Sequence, residues 1–306
     1  MSRIKRLLTA AIFVIIFTIP SQGSEKVGIS VIKALMNVPT AVEQELGLFQ
    51  KHFGDKVNLY LPELSAGFRQ AQAMAAGQIE FANCMGSTSL LVAASGGLDI
   101  RILSVYSRSP EVFKILVNSD RITSISDLRG KTLGGPMGTV LHFLLASALK
   151  QEGLSLKDVE FIDMPHDRAV AALLSGQIDG ALATGPVALG GIKRGARELV
   201  NGKGLIGGLA LVGVSGKTAR ERPDLVRSFA DAQKDAVEAI AQDPRWAWGL
   251  LSRDSMISKE FIEATMGLYD FSPAITSEDV KNLEEEVVFL QDLSIIGEID
   301  LNSLIL

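Results

Sequence analysis

Gly77-Gln78-Ile79-Glu80, running on through an apolar stretch to Gly86, decides how this chain is read, because it occurs twice. Gly176-Gln177-Ile178-Asp179 runs through Gly180 to Thr184 and reaches Gly185, so the second copy stands 99 residues after the first at both ends. Upstream, Ala73-Met74-Ala75-Ala76 is matched by Ala172-Leu173-Leu174-Ser175. Each copy predicts an Ala/Leu-rich helix, a glycine stop, a short buried strand and a glycine-containing turn. That is half of a βαβ unit. Its repetition in one register predicts two similar α/β lobes whose equivalent turns face a cleft.

Toward the N-terminus, Arg3, Lys5 and Arg6 precede an apolar run from Leu7 to Ile19, followed by Pro20 and the small-residue site Ser21-Gln22-Gly23. This is the pattern of a cleavable secretory signal over residues 1–23, shorter than the about 20 residues of a spanning helix. No cysteine stands just after the run, which argues against a lipid anchor. The expectation is an exported, periplasmic, soluble protein beginning near Ser24. Loss of residues 1–23, with three cations and no acid, moves the formal charge from −5 to −8. A chain with that balance lacks the basic face that phosphates require, so nucleic acid is excluded as a partner. The single Cys84 excludes an intrachain disulfide, which a chain of this size does not need.

Strands are expected at Val27–Ile32, Val57–Leu61, Ile79–Cys84 and Asp99–Tyr106, alternating with helices from Pro39 to Gly47, Phe68 to Ala76 and Ser87 to Ala94. A second α/β series begins at Val112–Val117. It continues through Thr132-Leu133-Gly134, a helix from Thr139 to Gly153, a strand at Glu160–Met164, a helix over Asp167–Leu174, the repeated strand and a helix over 187–200. Leu209–Val214 reads as a returning strand. Beyond it the chain is nearly all helix, with Leu225, Phe229, Ala232, Ala236 and Ile240 on one face and Ser258 and Thr276 as N-caps. This order predicts one lobe from 24–110 and 212–306 and a second from 111–211, with hinge strands near Val112–Val117 and Leu209–Val214.

Sharp catalytic motifs fail on context. Gly202-Lys203-Gly204-Leu205-Ile206-Gly207 satisfies a dinucleotide fingerprint as a string, but it precedes a strand instead of following one. Gly216-Lys217-Thr218 resembles the end of a phosphate loop, yet position 211 is Leu where the first glycine belongs. His52, His142 and His166 show no metal-ligand spacing, so neither metal nor cofactor is expected. Cys84 ends a buried strand, where a thiol is normally a small core residue. Ser215 lacks the flanking glycines of a nucleophile elbow.

Turns at strand ends remain, where α/β proteins hold ligands. They supply the candidate ligand-binding residues Asn37, Val38 and Pro39 after Met36; Met85, Gly86, Ser87 and Thr88; Met137, Gly138 and Thr139; His166 after Pro165; and Thr184 and Pro186 around Gly185. Ser87-Thr88 and Gly138-Thr139 each put hydroxyls at a helix start, where free N–H groups and the helix dipole favour an acidic group. One such start from each lobe is expected to donate to the ligand. Val38, Pro39, Met85 and Met137 are expected to supply apolar contact.

The chain resembles the periplasmic solute-binding proteins of ABC importers, in the branch that handles sulfonates, taurine, nitrate and thiamine-precursor pyrimidines. The resemblance rests on Glu45-Leu46-Gly47-Leu48-Phe49, Ala76-Gly77-Gln78-Ile79-Glu80-Phe81, Ile125 to Lys131, Gly138 to Leu145, and Ala172 to Gly180, with Pro223-Asp224-Leu225-Val226 and Tyr269-Asp270-Phe271 toward the C-terminus. It implies the type II periplasmic-binding-protein fold, with two Rossmann-like α/β lobes joined by two crossing strands around a ligand cleft. It also implies a monomer that delivers a small organic ligand to an inner-membrane ABC permease and is not an enzyme. The family often has an acid where Ser87 stands and an aromatic where Gly185 stands, and these departures point to a partly apolar ligand. Two other readings share the fold: an enzyme of pyrimidine or quinone precursor synthesis, and a ligand-sensing partner of a membrane receptor.

Overall fold

The computed structural model describes residues 25–32, 37–64, 66–254 and 259–306. The signal-peptide reading of 1–23, Met36 and the Ser258 cap lie outside them. The first half comprises β1 (Glu25–Gly28), α1 (Val38–Glu45), α2 (Leu48–Phe53), β2 (Val57–Tyr60), α3 (Gly67–Ala75), β3 (Phe81–Gly86), α4 (Ser87–Ser95) and β4 (Ile100–Arg108). Next come β5 (Phe113–Val117), β6 (Thr132–Gly135), α5 (Val140–Gln151), β7 (Glu160–Asp163), α6 (His166–Leu174), β8 (Gly180–Thr184), α7 (Gly185–Lys193) and β9 (Arg197–Asn201). The chain ends with β10 (Leu209–Ser215), α8 (Gly216–Glu221), α9 (Pro223–Gln242), α10 (Pro244–Asp254), α11 (Lys259–Thr265), α12 (Ser277–Asp292) and α13 (Leu301–Leu304). No helix among the described residues is long and apolar enough to cross a membrane.

The repeated tetrad has one physical job in both places. Gly77 and Gly176 sit at φ of +66° and +73°, a conformation that costs other residues strain. Each closes its helix with the same pair of bonds, Gly77 N–H to Met74 O and Gln78 N–H to Ala73 O, against Gly176 N–H to Leu173 O and Gln177 N–H to Ala172 O. Ile79 and Ile178 are buried. The acid then ties the new strand to its neighbour: the Glu80 carboxylate accepts from Gly28 N–H, and that of Asp179 accepts from Thr132 N–H at 3.0 Å. Because Glu80 is engaged in this way, β3 starts two residues later than the expected Ile79.

Two sheets of matching order result. In the second, the order is β7-β6-β8-β5-β9, with β6 parallel to β7 and β8 and β5 antiparallel to β8 and β9. In the first, β1 pairs parallel with β2, a parallel bridge from Ile29 to Phe81 joins β1 to β3, and β10 runs antiparallel between β3 and β4. Each sheet thus takes its one reversed strand from the chain arriving from the other sheet. The helix expected over 187–200 ends at Lys193, because Gly195 at φ +105° closes it with the same pair of hydrogen bonds, Gly195 N–H to Ile192 O and Ala196 N–H to Gly191 O. Arg197–Asn201 then forms β9, an edge strand not anticipated.

The sheets are joined by Ser109–Val112 and by residues 202–208. Ser109 N–H donates to Gly208 O at 3.1 Å, so the two connections touch through their backbones. A Cβ at Gly202 would lie 2.5 Å from Pro110 O, and one at Gly208 would lie 2.7 Å from Pro110 Cα. Arg108, at the end of β4, fixes the C-terminal segment beside this crossing. Its guanidinium grips Asp279 at 2.8 and 2.6 Å and donates to Ser272 O and Ala274 O at 2.7 and 2.6 Å. Asp279 also closes the capping box with Thr276 that starts α12, as the sequence predicts for that cap.

On the outer face of the first sheet, Leu225, Phe229, Ala232, Ala236 and Ile240 of α9 are buried as expected. Phe229 stacks on Phe81 with ring centroids 4.7 Å apart. Met85 and Leu90, Leu141 and Leu144, and Leu283 and Leu290 belong to another apolar cluster that brings α4, α5 and α12 together.

Burial pulls the Asp279 pKa up, but the bonds from Arg108 and Thr276 outweigh it and hold the carboxyl below its ordinary 3.8. A lowered pKa means stability that is present above the ordinary value and lost as pH falls through the folded one. Arg108→Ala strands this buried carboxylate and is expected to lower stability by about 3 kcal/mol at neutral pH. The deficit should shrink below pH 4, measured by urea unfolding of both proteins across that range.

Candidate functional site

A cleft of about 420 Å³ lies where the two sheets face each other across the crossing. Four helices start at it, each directly after a strand: α4 after β3, α5 after β6, α6 after β7 and α7 after β8. Gly86, Thr88, Ser89 and Val92 line it from α4, Thr139, Val140 and Leu141 from α5, Pro165 and His166 from α6, and Thr184 from the cap of α7. Phe113, Leu209 and Ala210 close it at the strands that follow the two connections. Among the described residues that line it there is no Lys, Arg, Asp or Glu. Two larger hollows, of about 830 and 1020 Å³, open on the flanks among charged surface residues such as Lys150 and Glu285, or Lys217 and Glu221. Repeated strand-to-helix turns from both sheets converge only on the smaller one.

Six of the sequence candidates meet here: Gly86, Thr88, Gly138, Thr139, His166 and Thr184. The others lie elsewhere. Asn37, Val38 and Pro39 are buried at the start of α1, with Asn37 accepting from the Tyr106 hydroxyl at 2.7 Å. Met85 and Ser87 are buried beneath α4. Met137 is half-exposed and Pro186 exposed, and neither lines the cleft.

The hydroxyls expected to serve a ligand are committed within the protein. Thr139 Oγ1 donates to Pro136 O at 2.8 Å. Thr88 donates to the carboxylate of Glu286, a buried acid on α12 that also holds the Ser87 hydroxyl. The free donors at these helix starts are therefore backbone N–H groups. Thr184 carries no such internal bond. His166 leaves its Nδ1 buried without a partner, and burial pushes its pKa down against the opposing pull of the neighbouring Asp167.

The turn before α5 is pinned from behind. Met137 N–H donates to Asp163 Oδ1 at 2.9 Å and Gly138 N–H to His142 Nδ1 at 3.2 Å. His142 stacks on Phe161 at 4.4 Å and meets the edge of Phe289 at 5.4 Å. Burial lowers its pKa to about 4, against which Asp163 pulls only weakly. His142 is a structural prop of the cleft wall, not a ligand contact. Ser89 and Val92, further along α4, together with Phe113, Leu209 and Ala210, were missed by sequence reasoning. No turn signal marks them, and the last three reach the cleft only through the crossing.

Residues 37–247 match the family model described as NMT1/THI5 like. The chain belongs to the NMT1/THI5-like family. A relative within reach of sequence comparison is the taurine-binding periplasmic protein of Escherichia coli K12, 29% identical over 210 residues that cover 67% of this chain and 64% of that protein. The matched stretch is thus less than two thirds of the relative's own length. Among solved structures, the periplasmic aliphatic sulphonate binding protein SsuA from Escherichia coli superposes with a TM-score of 0.83, covering 92% of both chains at 18% identity. The desulfurization enzyme DSZB shares the fold at a TM-score of 0.68 and 16% identity, covering 92% of this chain and 96% of that one. The fold is therefore the two-lobe periplasmic-binding-protein fold that the resemblance implies.

A histidine whose pKa is lowered on folding destabilises the native state as pH falls, because the unfolded chain takes up its proton first. His142 should thus cost stability progressively between pH 6.5 and about 4. A His142→Phe variant keeps the stack on Phe161 but loses the acceptor for Gly138. Thermal melts across that range should show its acid limb flattened relative to the parent, with a lower melting temperature at pH 7.

Proposed function

We propose that this protein is an exported solute-binding protein, which captures a small organic ligand in the inter-lobe cleft and hands it to an ABC-type permease in the inner membrane. The observation that carries this reading is the convergence of four helix starts on one uncharged cleft. Such a wall offers oriented N–H donors without a fixed cation, which suits an anionic or strongly polar head on an apolar body. Each exposed helix end contributes roughly 0.3 to 1 kcal/mol and a partly buried one up to about 2, whereas micromolar affinity needs about 8. Apolar contact with Phe113, Val92 and Leu209 must supply much of the difference. Sulfonates head the list of candidate ligands, because the sequence relative and the solved neighbour are named for taurine and sulphonate binding.

Binding is favoured over catalysis by the lining itself. Among the described residues that line it, His166 is the only titratable side chain, and its Nδ1 is hydrogen-bonded to no acid or nucleophile. Cys84 is buried, and desolvation pushes its thiol far above its ordinary value. The proposed lobes are 24–110 with 212–306 and 111–211; the strand orders support this division except that β10 lies wholly in the first sheet, Leu209 to Leu211 included. The signal-like residues 1–23 and the relatives' periplasmic names support export, and a monomer is the proposed working form.

Mass spectrometry of small molecules released from the native protein, followed by calorimetry with taurine and short alkanesulfonates, tests the reading. At least one of these, or a released compound of similar size, should bind with micromolar or tighter affinity. Thr184→Asp keeps a capping residue at α7 but puts a carboxylate at the head-group site. It should weaken an anionic ligand at least about tenfold with little change in melting temperature. Retained affinity would move the head group away from α7.

A further inference from the structure

Apolar side chains left in water are usually scattered singly, and a cluster of them marks a surface with a partner. Among the described residues nine large apolar side chains are well exposed, and four of them stand around one end of the cleft. Val92 is 37% exposed although it lines the cleft, so the cleft opens beside it. Thr88 is tied to Glu286, and Ser95 Oγ accepts from Gly297 N–H at 3.1 Å, which lays α12 and the turn after it along one face of α4. Val92 stands between those two bonds on the same face, level with the turn that carries Ile295. Ile295, at 38% exposure, reaches the turn before α5: a Cβ at Gly138 would lie 2.9 Å from its Cδ1. Met137, 51% exposed, precedes that glycine. At the start of α3, Gly67 packs against Ser89 of the lining and is followed by Phe68, the most exposed of the nine at 61%.

This rim is built, not a loose end. Ser294 holds φ +56°, where glycine is usual, and its N–H and that of Ile295 donate to Gln291 O and Leu290 O at 2.8 and 2.9 Å, which fixes the backbone of Ile295. The helix starts that offer N–H donors lie inside the cleft, whereas the four rim side chains present only carbon and sulfur. A polar head set among them would lose water without gaining a bond, but an alkyl or aryl tail would gain by leaving water. We infer that the rim is the outer half of the binding site, a subsite for an apolar tail that leaves the cleft past Val92, Ile295 and Met137. The ligand is then an amphipathic compound with a long alkyl or aryl tail. This rests on the solute-binding reading and adds to it the length and character of the ligand. Continuity of the rim with the lining, through Val92 and Gly138, decides for a ligand tail over a separate protein partner. The helix from Gly86 to Val92 rises about 9 Å, so a straight chain longer than that, held by its head at the helix starts, must come out over the rim.

Calorimetry with the ethane-, butane-, hexane-, octane- and decanesulfonates, and with carboxylates of the same lengths, tests this on the parent, Ile295→Ser and Met137→Ser. Full burial of one methylene raises affinity about fourfold, and a rim open to water on one side gives about half of that on a logarithmic scale. From butyl to decyl the parent should thus gain about fiftyfold or more in the series that binds. Either substitution should cut that gain at least about fivefold, with little change in melting temperature, because both side chains are largely in water. A parent that binds ethanesulfonate with no gain along the series would overturn the inference and leave the solute-binding reading intact. An undiminished gain in both folded variants would also overturn it, since the tail would then stay within the cleft. If no member of either series binds the parent, the inference falls, while a different compound released from the native protein would still uphold the solute-binding reading. Should one variant fail to fold, the other decides.

Discussion

Everything the cleft does depends on two backbone segments that touch. Ser109–Val112 and 202–208 pass so close that a side chain at Gly202 or Gly208 would overlap the backbone of Pro110, and a hydrogen bond from Ser109 to Gly208 holds them. Each segment is short, so the sheets it joins are held as neighbours at this point. Arg108 and Asp279 lock the C-terminal segment onto the same point, which places α12 between α4 and α5. The cleft is the space that remains on the other side of this joint.

The likeness of the two sheets explains why the site is built from turns. A strand that ends at a topological reversal, followed at once by a helix, leaves N–H groups pointing into the gap. Two such sheets face to face present several starts to one volume, and no charged side chain is needed to make the gap attractive to a polar group. The cost is that every start must be held in place from behind. His142, Asp163, Pro136 and Glu286 do this for α4 and α5, and all four act from outside the ligand space or at its margin.

This division between wall and prop marks how far the sequence could be read. The Gly-Gln-Ile-acid tetrad announced the helix stops and buried strands correctly, because a left-handed glycine and a buried isoleucine act locally. Gly195 carries the same stop, but Ala196 and Arg197 stand where the tetrad has Gln and Ile, and so β9 was read as helix. The turns at Gly86, Gly138, His166 and Thr184 were legible as a site because each follows a strand. Phe113, Leu209 and Ala210 were not, since their place depends on the approach of segments about a hundred residues apart. The direction of the hydroxyls of Thr88 and Thr139 was illegible for a further reason: it depends on Glu286 and Pro136, which no local pattern pairs with them.

The buried acids belong to the props and not to the wall. Glu43, Asp279 and Glu286 are the buried carboxyl groups among the described residues, and all three pack with the first sheet or its helices. Asp279 has Arg108 as counter-ion. Glu43 has none, and burial pushes its pKa up to about 8, so near neutral pH it is largely protonated and adds little negative field. Glu286 has no cation either: burial raises its pKa, and the hydroxyls of Ser87 and Thr88 oppose the rise. Of the three it is the one bonded to a residue that lines the cleft, Thr88. Acids thus act on the cleft from behind, Glu286 by holding Thr88 and Asp163 by holding the Met137 N–H, and the described residues that line it carry no charged side chain to compete with a ligand for water.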